Sequence, residues 1–142
     1  MPQTALAIDS TTEVLELAIA QVSPEVNPLI CLNYQKWTLG RDLSVQIHTC
    51  LAEVMSAYQW SDLAFLAIAS GVGSFTSTRI GIVVARTLGE QLGIPVYAIS
   101  CNDINSQAKE NNLPIMSLIK IGHNHWVTGE YRHWSEALPL YS

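Results

Sequence analysis

Gly71-Val72-Gly73-Ser74-Phe75-Thr76-Ser77-Thr78-Arg79-Ile80-Gly81 is the stretch that decides how the rest of the chain is read. An apolar run with strand character, Leu63 to Ala69 (LAFLAIA), leads into it, and a helical pattern from about Ser77 to Leu92 leads out. A buried strand, a glycine-bearing turn and a helix N-terminus leave backbone N–H groups pointing outward, and the helix dipole adds partial positive charge there. An anionic group suits such a place. The glycines allow backbone angles and a close approach that a Cβ would block. Strand–glycine–helix turns also occur as plain connectors, so the local pattern leaves both readings open.

Two lines of residues run along the helix that follows. Ile80, Val84 and Leu88 recur every four residues with Val83 beside them, as a core-facing stripe does. Gly81, Ala85 and Gly89 also recur every four, a smooth groove along which another helix could approach. A glycine inside a helix costs about 1 kcal/mol relative to alanine, so two on one line point to close packing. Upstream, helical periodicity begins after Gly40: Leu43, Ile47, Cys50, Leu51, Val54 and Tyr58 form a core stripe, and Asp42 is placed to cap its start. A weaker stripe of Val45, His48, Ala52 and Met55 lies on a different face. Either a neighbouring helix covers it or another subunit does.

Outside these helices the chain reads as strands. Thr4–Asp9 is a short apolar run ending in an acid, Ser10-Thr11-Thr12 is a tight turn, and Val14–Ala20 and Leu29–Trp37 supply two further strands around a proline-bearing connector. Pro95–Ser100 is the next strand and Asn102–Asn111 a polar helix or turn. Leu113–Ile121 and Trp126–Trp134, separated by Gly122-His123-Asn124-His125, resemble a hairpin, followed by a short tail. Three adjacent strands and then strand–helix units predict an α/β fold: a mixed sheet flanked by helices, of the ribonuclease H-like (actin and sugar-kinase) type.

The 142 residues suffice for one well-buried core. With 49% hydrophobic and 13% charged residues, the composition is that of a soluble globular protein with apolar surface to spare for a partner. A net charge of −5 opposes strong direct binding to a phosphate backbone. No segment reads as a signal peptide, and no apolar run approaches the ~20 residues of a membrane span. Cys31, Cys50 and Cys101 are an odd number at wide spacing, which argues for a reducing cytoplasm and against a disulfide framework or a cysteine metal site.

The candidate phosphate- or nucleotide-binding residues are Asp9, Gly71, Gly73, Ser74 and Thr76. Asp9 ends the first strand, where it could contact phosphate or metal, or cap its own turn. Ser74 and Thr76 could bond a phosphate or cap the helix. His123 and His125 would share a face of a strand, but a metal site needs a third ligand, with Glu130 and His133 nearest in sequence; a solvent-exposed hairpin tip is the reading preferred. The G-x-G-S run is not a G-x-S-x-G nucleophile elbow, so peptidase chemistry is not expected.

The central run also resembles the G-P-G-S-F-T-G-x-R-x-G signature of the TsaB (YeaZ) family, through Gly71, Gly73, Ser74, Phe75, Thr76, Arg79 and Gly81. Val72 replaces the family's proline and Ser77 its second-half glycine. Ala7-Ile8-Asp9-Ser10-Thr11-Thr12 and Leu92-Gly93-Ile94-Pro95-Val96 resemble the family's opening turn and a later strand entry. The resemblance implies a noncatalytic, cytoplasmic helper in the making of threonylcarbamoyladenosine, beside the anticodon of tRNA. It implies pairing with a TsaD-type transferase through a helical bundle, a TsaE-type ATPase in the same complex, homodimers when alone, and only indirect tRNA contact. The expected interface is Val45, His48, Ala52, Met55, Arg79, Gly81, Ile82, Ala85, Arg86 and Gly89. Residues 1–112 would form the core lobe and 113–142 the remnant of a truncated second lobe, so ATP or ADP would bind weakly at best and no cofactor or metal is expected. The alternative is a small phosphate- or nucleotide-binding enzyme of the actin and sugar-kinase superfamily.

Overall fold

Strand β1 (Gln3–Asp9) is apolar on both faces because it sits mid-sheet with helices on either side. The computed structural model describes residues 3–24, 29–71, 76–108, 114–129 and 133–137. β1 pairs antiparallel with β2 (Val14–Val22), and β2 antiparallel with β3 (Ile30–Thr38). On its other side β1 pairs parallel with β4 (Leu63–Ala69), and β4 parallel with β5 (Val96–Ile99). The five strands therefore run in the order β3-β2-β1-β4-β5, the mixed sheet expected.

Strand alternation divides the core into two layers, and in β1 and β2 it does so by size. Leu6, Ile8, Leu17, Ile19, Leu66 and Ile68 point to one side, where helices α1 (Leu43–Val54) and α2 (Thr76–Leu92) cover them with Ile47, Leu51, Val54, Ile82 and Ala85. Ala5, Ala7, Ala18, Ala20, Ala67 and Ala69 point to the other, under Ile104 of α3 (Cys101–Ala108) and Ile115, Leu118 and Ile119 of α4 (Pro114–Val127). Alanines leave room for a helix backbone to come close. A Cβ on Gly122 of α4 would lie 3.0 Å from Phe65 Cε1 and 3.2 Å from Ala67 Cβ.

Three expectations are corrected. The hairpin over 113–134 is not formed: residues 114–127 are the helix α4, packed on the sheet. Ile115, Leu118, Ile119, Gly122 and His123 fall at helical spacing on its buried side, and Gly122 serves close packing rather than a turn. His123 and His125 therefore do not share a strand face. His123 is 2% exposed, its Nε2 2.7 Å from the Ser23 carbonyl, while the His125 ring stacks on Tyr97 at 5.7 Å. Glu130 lies outside the described residues. Finally, Asp42 precedes α1 but makes no capping hydrogen bond, because it closes a 3-10 turn, Gly40–Asp42, that runs straight into the helix.

Helix α2 ends where its sequence says it should. Gly93 takes φ 67°, and the N–H groups of Gly93 and Ile94 return to the Gly89 carbonyl at 2.8 and 3.2 Å.

Candidate functional site

Parallel strands β1, β4 and β5 end at one edge of the sheet, and α2 and α3 begin there. This is the edge at which open α/β sheets hold ligands. Asp9 sits at the end of β1 with Oδ1 accepting from the Thr11 N–H at 3.0 Å and from the Thr11 hydroxyl at 2.7 Å. It caps its own turn, as one of its two sequence readings held. Cys101, the first residue of α3, lies within reach of the same pair. Burial pushes its thiol pKa up, a hydrogen bond from Thr11 opposes this, and the Asp9 charge adds to the rise. Ser100 starts α3, accepting from the Asp103 N–H at 3.2 Å.

Gly71 joins this edge: a Cβ there would meet Thr11 Cγ2 at 3.2 Å and Thr78 Oγ1 at 3.6 Å. Gly73 and Ser74 fall outside the described residues. Thr76 is exposed and lines a different feature, so the phosphate set is not assembled around one point among the described residues. Nor do three or more of the described His, Cys, Asp and Glu residues gather where they could hold a metal.

The feature that Thr76 lines is a groove of about 330 Å³ between α1 and α2. Ser44, Ile47 and His48 line it from α1; Arg79, Ile80, Val83 and Val84 line it from α2. Val45 and Val83 stand on these two helices with 73% and 60% of their surface exposed, among the largest apolar exposures of the described residues. Arg79 and His48 supply the basic character of this surface.

The expected interface divides in two. Val45, His48, Ala52 and Arg79 are exposed and Arg86 is half-buried, so these remain surface residues. Met55, Gly81, Ile82, Ala85 and Gly89 are buried within this chain and are not available to a partner. The small-residue line faces the protein's own sheet. A Cβ on Gly81 would overlap Ser10 Oγ, and one on Gly89 would lie 2.5 Å from Val96 Cγ2 and 2.8 Å from Trp134 Cβ. Conversely, Val83 and half-buried Ile80 of the expected core stripe face the groove. Sequence reasoning missed Ser10, which bonds the first turn of α2, and Thr78, the buried hydroxyl residue within that turn; nothing in the periodicity marks them.

A five-stranded mixed sheet in this order, with helices on both faces, defines a ribonuclease H-like protein. Solved structures agree: YeaZ from Pseudomonas aeruginosa superposes with a TM-score of 0.80 at 16% identity, covering 99% of this chain and 100% of that one. RuvC from T. thermophilus superposes with a TM-score of 0.60 at 14% identity, covering 92% and 98%. Residues 38–139 match the family model described as TsaD, tRNA N6-adenosine threonylcarbamoyltransferase. The tRNA threonylcarbamoyladenosine biosynthesis protein TsaB of Bacillus subtilis is 33% identical over 97 residues, and its counterpart in Buchnera aphidicola 36% over 75. The chain belongs to the TsaB/YeaZ family. These alignments take in 68% and 49% of this chain, but only 41% and 35% of the relatives' own length. No described helix is long and apolar enough to cross a membrane.

Proposed function

We propose that this chain is a noncatalytic partner subunit in the biosynthesis of threonylcarbamoyladenosine in tRNA, working in the cytoplasm. It docks through the α1/α2 groove onto a TsaD-type transferase, in an assembly that also uses a TsaE-type ATPase. Alone, it pairs with a second copy through the same helices. The observation that carries this reading is the exposure of Val45 and Val83 beside an apolar groove on a helix layer that the other described residues do not cover. The names of the TsaB relatives support the process, and they and the matched TsaD family model fit a TsaD-containing assembly. Contact with tRNA falls to the partner, in keeping with a net charge of −5. The Asp9–Thr11–Cys101 edge acts in this reading as a structural joint rather than a nucleotide site, since the Asp9 carboxylate is engaged with its own turn.

Val83→Glu tests the docking. The side chain is 60% exposed, so folding should be little affected. At the interface, losing a buried valine removes about 1.5 kcal/mol and burying an unpaired carboxylate costs more, together roughly a hundredfold in affinity. Titration calorimetry against the purified transferase should show that loss, and sedimentation should show loss of self-association. Wild-type affinity in Val83→Glu would remove the groove as the docking surface.

A further inference from the structure

We infer that Ser10 is a positioning residue for the docking face of α2, an inference that rests on the docking role proposed above. Ser10 is 0% exposed and its hydroxyl donates to the Ser77 carbonyl at 2.7 Å, 67 residues away in sequence. The same side chain fills the space left by the missing Cβ of Gly81, one helical turn further on. Beside it, Gly71 lies between the Thr11 methyl and the buried Thr78: a Cβ there would meet Thr11 Cγ2 at 3.2 Å and Thr78 Oγ1 at 3.6 Å. The turn from β1 to β2 is thus keyed into the inner side of the first turn of α2. The outer side of that turn carries Thr76, Arg79 and Ile80, which line the groove.

Inner and outer sides belong to one rigid helical turn, so the seat of Ser10 sets the tilt of α2 relative to α1 and with it the width of the groove. The turn itself is held by Asp9, whose carboxylate fixes the Thr11 amide and hydroxyl. A residue that touches no partner atom therefore controls how well the partner fits.

The test compares four proteins by titration calorimetry against the transferase subunit, with thermal melts of each: wild type, Ser10→Ala, Val83→Glu, and Ile119→Val as a control in the opposite core layer. Ser10→Ala should bind measurably more weakly, by up to about tenfold if the whole worth of the buried hydrogen bond goes into holding the docking-competent tilt of α2. Hydrogen exchange should quicken at residues 77–81 and stay unchanged in α4. Ile119→Val, with a comparable loss of melting temperature, should bind as wild type does. Wild-type affinity in Ser10→Ala overturns the inference while leaving the docking role intact. Equal weakening in Ser10→Ala and Ile119→Val also overturns it, because the effect would then be general destabilisation. Should Ser10→Ala not fold, Ser10→Gly with the same readouts takes its place. Unchanged binding in Val83→Glu removes the docking role and this inference together.

Discussion

Replacing Gly81 by alanine decides which way the small-residue line of α2 faces. If it faced solvent or a partner, alanine would gain about 1 kcal/mol of helix propensity and stabilise the free protein. In the structure the new Cβ would overlap Ser10 Oγ and lie 3.2 Å from Ser10 Cβ and 3.3 Å from Ile68 Cδ1. Ser10 must then turn off the Ser77 carbonyl, in a place with no solvent to receive its hydroxyl. A buried hydroxyl without a partner costs about 1–3 kcal/mol, and forcing the extra methyl into a filled core another ~1–3 kcal/mol. After the propensity gain, the expected loss is roughly 1–5 kcal/mol.

Ser10→Ala alone should cost about 0.5–1.5 kcal/mol, the net worth of a neutral hydrogen bond. In the double variant the overlap is gone and only the two contacts just over 3 Å remain to relax. The double loss should therefore fall short of the sum of the singles by about 1–3 kcal/mol. Urea unfolding gives these quantities directly from midpoints, provided the slope is common to all four proteins. Gly81→Ala as stable as wild type, or more so, would refute the inward orientation of this line and restore it as surface.

Two further outcomes follow from the same geometry. Thr78 is 1% exposed and its Oγ1 has no hydrogen-bond partner among the described residues, so Thr78→Val should raise stability by about 1–2 kcal/mol, read as a higher urea midpoint; a lower midpoint would mean that the hydroxyl does have a partner. The Tyr34 phenol, 2.6 Å from Glu16 Oε1, is pushed up to about 12 from 10.0 by burial, by that hydrogen bond and by the nearby Glu16 and Asp9 charges. The fold favours the protonated phenol, so its contribution is whole below pH 10 and is lost as pH rises toward 12. Tyr34→Phe should flatten the fall in stability over that window and remove one late-titrating phenol from the ultraviolet titration; an unchanged profile would refute the assignment.

Most of the sheet was legible because β1, β2 and β4 are apolar runs bounded by turn residues, and α1 and α2 because their periods are long and regular. The fourth helix was not. Ile115-Met116-Ser117-Leu118-Ile119 reads equally as a short buried strand, and Gly122 among polar neighbours reads as a turn. Only the presence of an uncovered alanine face, known once the strands are paired, demands a helix there. Of the candidate site, the place of Asp9 and Gly71 at one sheet edge was legible from strand order. The engagement of Asp9 with Thr11 was one of two open readings, and the Ser10–Ser77 bond joins residues with no shared pattern.

Which side of α2 turns inward was a different kind of failure, and it has a volume argument that the sequence contained. Periodicity draws lines along a helix but assigns none of them to the core. Size does, because interiors are filled to crystal-like density and large must meet small. On the α1/α2 side the sheet presents Leu6, Ile8, Leu66 and Ile68, and α2 meets it with Gly81, Ala85 and Gly89 beside Ile82. On the other side β1 and β2 present alanines and α4 meets them with Ile115, Leu118 and Ile119, while Phe65 and Tyr97 of β4 and β5 lie on this same side, with Phe65 against the small Gly122. The alternation Ala5-Leu6-Ala7-Ile8 in β1 already states this division. Once the glycine line is committed inward, the branched residues Ile80 and Val83 are left with no sheet to cover them. A docking surface on α2 must then be built from these residues and α1, not from the glycines.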